Sequence, residues 1–140
     1  MERGRIFHGG TVWVARAERA ASLWPRLRGL LGRPGLGPSA ALLIERCGAV
    51  HTVGMRFALD LVFLDRSWRV VRVVRNVRPG RLMVWGGWRA VRVVEAAAGG
   101  VALEGVRPGE TVQWQGDGAK RARGSDRERP EASAPREDAR

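Results

Sequence analysis

Asp60 lies inside the run LDLVFL (59–64), flanked by Leu59, Leu61, Val62 and Leu64. A carboxylate there must shed water, and it can do so only against a positive or hydrogen-donating partner. The candidates are His51, Thr52 and Arg56 just upstream, together with Arg28 and Arg33 on an expected helix. A buried Arg–carboxylate pair would be architectural. The same groups at the rim of a cleft would bind a ligand, and His51 with Asp60 could act as a base and its orienter in a hydrolase or lyase. Cys47 stands four residues before His51, which raises a nucleophile–base pair. That spacing on an extended or irregular segment does not carry the thiol onto the imidazole, so a small buried thiol is the expectation.

Other chemistry is thinly represented. His8 and His51 are the only histidines and Cys47 the only cysteine. A multi-histidine or CxxC metal site within one chain is therefore excluded, and no cofactor is expected. There is no GxSxG, HExxH, phosphate loop or dinucleotide fingerprint. Gly29, Gly32, Gly35 and Gly37 lack a preceding strand and a following helix, and read as a helix end with its exit turn.

The elements that must position these residues are mostly strands. TVWVAR (11–16) alternates, and ALLIE (41–45), LDLVFL (59–64), VVRVVRNV (70–77), AVRVVE (90–95) and TVQW (111–114) are short apolar runs, mostly rich in Val. LDLVFL is apolar on both faces except at Asp60 and belongs in the sheet interior. Residues 23–31 (LWPRLRGLL) form the one expected helix, with Ser22 as cap, Pro25 in the first turn, and Leu23, Leu27, Leu30 and Leu31 as a packing stripe. Many short strands and one short helix give a mostly β (α+β) class, expected as a small closed or nearly closed barrel-like sheet.

Length and composition bound the rest. A chain of 140 residues with 44% hydrophobic residues suits one domain. From Gly116 onward the chain is Gly, Ala, Pro, Ser and mixed charge, with Trp114 the last large apolar residue. Residues 1–115 are thus expected to form the domain and 116–140 a disordered charged tail. The net charge of +11 divides into +1 on the tail and +10 on the folded part, which would attract nucleic acid, anionic lipid or acidic protein alike. One cysteine, no apolar leader and no long uncharged apolar run point to a cytoplasmic protein without a membrane span, expected as a monomer.

Arginines recur at 66, 69, 72, 75, 78 and 81. Side chains of a strand alternate faces with period two, so a period of three spreads this charge instead of lining one groove. Weak, non-specific nucleic-acid binding is the expectation. WRVVRVV (68–74) and WRAVRVV (88–94) read as two similar strands, not a repeat array.

HTVGMRFALDLVFLD (51–65) resembles the central motif of a bacterial and archaeal family, domain of unknown function 192. RGLLGR (28–33), RVVRVVRNVRPGR (69–81), VVEAAAG (93–99) and GVRPGETV (105–112) follow the same pattern in order, so the resemblance covers residues 11–114. Ala58 stands where the pattern has Pro, Leu31 where Met is usual, and Ala41-Leu42-Leu43-Ile44 where a strand with an aromatic is common. The resemblance implies a compact, mostly β domain of no established activity.

Three functions compete. The leading reading is a non-catalytic binding module whose His51, Thr52, Arg56 and Asp60 rim a cleft for an anionic small molecule or a peptide segment. The others are a basic protein associated with nucleic acid and an enzyme using His51 and Asp60.

Overall fold

The computed structural model describes residues 1–21 and 35–118. The expected helix over 23–31, with Arg28 and Arg33, lies outside the described residues, as does the expected tail from residue 119 onward.

Nine strands are formed by the described residues. They are β1 (Glu2–His8), β2 (Thr11–Ala20), β3 (Ala40–Glu45), β4 (Ala49–Val50), β5 (Leu59–Leu64), β6 (Val70–Val77), β7 (Val84–Trp85), β8 (Arg92–Ala97) and β9 (Val112–Gly116). Seven form one sheet in the order β6-β5-β8-β3-β2-β1-β9, and β4 and β7 pair separately. β2 and β3 are parallel and the other neighbours antiparallel. The two similar segments at 68–74 and 88–94 contribute to β6 and β8, which flank β5 on either side.

The sheet is not closed, which corrects the closed form of the expected closed or nearly closed sheet. Its edge strands approach at one corner only, through the Arg69–Thr111 bridge and the bonds Val70 N to Glu110 O (2.7 Å) and Val112 N to Trp68 O (3.0 Å). Beyond that corner β6 and β9 diverge. Two register shifts bend β6 against β5, and a bulged strand twists away from a regular ladder.

Alternation divides the apolar residues between two cores. Ile6, Val14, Leu43, Val62, Leu64, Val94 and Val112 share one, sealed by Val101, Leu103 and Val106. Leu42, Ile44, Leu59, Leu61, Phe63 and Val93 share the second with Met55, Val50 and Val84 from the small sheet and its loop. All six residues of β5 are buried because it lies between two strands with a core on each face. Fully burying side chains of the size of Leu61 and Phe63 contributes roughly 1.5–3 kcal/mol each.

Gly4 is required where β1 meets β9. A Cβ there would lie 2.4 Å from Gln115 O and 2.7 Å from the Trp114 ring, so any larger residue would push the two strands apart.

Candidate functional site

Asp60 is only 6% exposed. The bulge between β5 and β6 releases the Asn76 amide from the ladder, and it donates to Asp60 Oδ1 at 2.8 Å. Asn76 takes φ 52°, in the left-handed region that Asn tolerates. The Gly99 amide donates to Asp60 Oδ2 at 2.9 Å from the turn after β8. That turn is fixed by Gly100 N to Ala97 O (2.7 Å) and Ala98 N to Ala58 O (3.0 Å). The carboxylate is therefore compensated by backbone amides, which are strong partners for a charged acceptor.

Asp60 also forms part of a shallow cleft of about 600 Å³. Arg75, Asn76, Gly99 and Glu104 give it polar walls, while Val101 and Leu103 supply apolar ones.

Thr52 is fully buried and acts as a clamp. Its hydroxyl donates to Arg78 O at 2.7 Å and accepts from Arg81 N at 2.9 Å. Its backbone bonds to Arg81 O and Gly80 N, both at 2.9 Å. The 51–58 loop is thereby tied to the 78–81 turn. Met55 and Phe57 of this loop pack against the second core, whereas Asp60 projects from β5 on the face of the first. The candidate set is thus divided: Asp60 faces one side of the sheet and the loop carrying His51, Thr52 and Arg56 covers the other. His51 is half-buried and Arg56 exposed.

Cys47 is buried and its thiol donates to Ala49 O at 3.1 Å, the contact of a structural thiol. His8 pairs with Glu110 across the β1–β9 edge. Among the described residues no group of three or more His, Cys, Asp or Glu is placed to hold a metal, and no helix is long and apolar enough to cross a membrane. The arginines at 66, 69, 72, 75, 78 and 81 are all exposed.

Two polar arrangements escaped the sequence reading. Glu95 is fully buried on β8, between Leu42 of β3 and Leu61 of β5, on the face of the second core. It is engaged there, not isolated. Its signal was visible: an acid within VRVVEAAA is as demanding as Asp60 within LDLVFL. The other arrangement is a cluster on Glu45. Arg19 Nη2 lies 2.9 Å from Glu45 Oε1 and Arg92 Nε 2.7 Å from Glu45 Oε2. The Arg92 and Arg19 guanidiniums lie 4.3 and 5.5 Å from the Trp68 ring centre. Strand order alone brings these four residues together, so no local pattern could announce them.

Over residues 5–114 the chain matches the model of domain of unknown function 192, described as "Uncharacterized ACR". No curated protein matches it. Two solved structures share its fold. A protein of unknown function from Novosphingobium aromaticivorans DSM 12444 has a TM-score of 0.67 at 22% identity, over 80% of this chain and 84% of that one. One from Sinorhizobium meliloti 1021, described as a "putative transcription regulator", has a TM-score of 0.65 at 23% identity, over 81% of this chain and 92% of that one.

Proposed function

The chain belongs to this uncharacterised family, and from that premise we propose that it is a non-catalytic, cytoplasmic binding module that takes an extended peptide segment beside Asp60. The observation that carries the reading is the outer edge of β6. Among the described residues no strand lies against it, and only Val70 at its start is bonded to the 109–110 turn. An unpaired edge is a template for a further strand, whose backbone provides affinity while side-chain positions provide selection.

The cleft at the far end of β6 suits the end of such a strand. A carboxylate has about four acceptor positions, and two of Asp60's are filled by Asn76 and Gly99. The remainder can receive an N–H of the guest. Asp60 and Glu104 would repel a small anion in this cleft, so the peptide is favoured over an anionic small molecule. Arg72 and Arg75 beside the edge favour acidic side chains in the guest, and they also protect the edge from self-pairing.

The test is amide hydrogen exchange with a blocked peptide of alternating Glu and Val. Protection of residues 72–77 and 98–104, lost in Arg75→Glu, is the expected result. Unchanged exchange along β6 at saturating peptide would overturn the reading.

A second reading, association with nucleic acid, draws on the exposed arginines and on the description of the Sinorhizobium protein. It requires binding whose logarithm falls linearly with the logarithm of salt concentration.

A further inference from the structure

The turn after β6 and the strand β7 expose apolar side chains on a firmly held backbone. Leu82 is 84%, Met83 64% and Trp88 94% exposed, with Trp85 and Val53 partly exposed beside them in the chain or across the clamp. Trp85 and Trp88 meet edge to face at 5.1 Å. The four bonds of Thr52 hold the turn at Arg78, Gly80 and Arg81, and Gly86 N donates to Gly48 O at 2.8 Å, so the backbone is held on both sides of Leu82 and Met83. Scattered exposed apolar residues need no explanation, but a rigid group of them marks a contact surface.

The surroundings identify the partner's charge. Residues 78–89 contain three arginines and no acidic residue, and all three are exposed. Arg78, Arg81 and Arg89 flank the apolar tip directly in sequence. A second copy of so basic a surface would be repelled, so the partner is anionic. Its chemistry must also accept aliphatic groups. Single-stranded bases stack chiefly on ring faces and draw little from Leu82 and Met83. The headgroup zone of a bilayer accepts Trp, Leu and Met together, with Arg on lipid phosphates.

We propose that the Leu82–Trp88 tip and its arginines dock the protein on an anionic lipid surface, the apolar side chains entering the headgroup zone. Neither element suffices alone. Arginines without an apolar tip would bind only at low salt, while the tip without arginines would not distinguish lipid charge. This surface is separate from the Asp60 cleft, so either proposal can fail without the other.

Co-sedimentation with vesicles of equal parts phosphatidylglycerol and phosphatidylcholine, at about 0.15 M salt, tests it. The protein should bind these vesicles and not pure phosphatidylcholine, with a blue shift of tryptophan emission. The triple variant L82S/M83S/W88S alters only exposed side chains and should keep the wild-type circular dichroism. Its partitioning should fall at least about tenfold. Absence of binding to the anionic vesicles, equal binding to neutral ones, or undiminished binding by the triple variant would each overturn the proposal. So would release from vesicles by single-stranded DNA whose own binding also needs Trp88, which would assign the tip to nucleic acid.

Discussion

Asp60 and Asn76 are joined across a β-bulge: the backbone amide that the ladder leaves over is the one the buried carboxylate accepts. Asp60→Ala would strand that amide and the Gly99 amide together, at about 3 kcal/mol. Asp60→Asn would keep one acceptor and turn a donor toward the other amide, recovering part of the loss. Urea denaturation of the three proteins checks the order wild type, Asn, Ala.

Thr52→Val retains shape and removes the hydroxyl that serves both Arg78 O and Arg81 N. We expect a loss of about 2 kcal/mol, with Thr52→Ser retaining most of the stability. Exchange of the Arg81 amide should accelerate in the Val variant alone. Equal behaviour of Ser and Val would mean that the methyl group, not the clamp, matters.

Gly4→Ala places a methyl group against Gln115 O and the Trp114 ring. Overpacking of this kind costs about 1–3 kcal/mol. The disturbance should be confined to the β1–β9 edge, and a thermal midpoint equal to wild type would contradict the close approach.

Arg92→Lys keeps the charge but gives up the guanidinium fork that reaches Glu45 and the Asp65 carbonyl at 2.8 Å, and its stacking on Trp68. A loss of about 1–2 kcal/mol is expected, since these side chains are mostly shielded from solvent. Glu45→Gln should weaken the same cluster, and the double variant should lose less than the two single losses combined.

Local pattern carried much of this architecture. β3, β5, β6, β8 and β9 fall where Val-rich or alternating runs place them, within one or two residues. β2 extends to Ala20, past the apolar run, because pairing with both β1 and β3 sustains it. β1 was illegible: ERGRIFH has no alternation, and its place depends on β9, more than a hundred residues away. β4 and β7 are two residues each, too short for periodicity to register. For Asp60 the need for a partner was readable, but not its identity. Backbone amides carry no residue type, and their arrival depends on a bulge and on a turn from another strand.

The position of β8 between β3 and β5 constrains how the chain can assemble during synthesis. β3 and β5 emerge early but cannot complete their hydrogen bonds until residue 97 has left the ribosome, and β1 waits longer still for β9. The nascent chain therefore carries two partial sheets with open sides, the state in which strands are most prone to mispair. Pulse proteolysis of stalled chains should show little protection for chains ending before β8 and full protection only once β9 has emerged. Protection of the shorter chains would indicate that the first strands fold independently of the last.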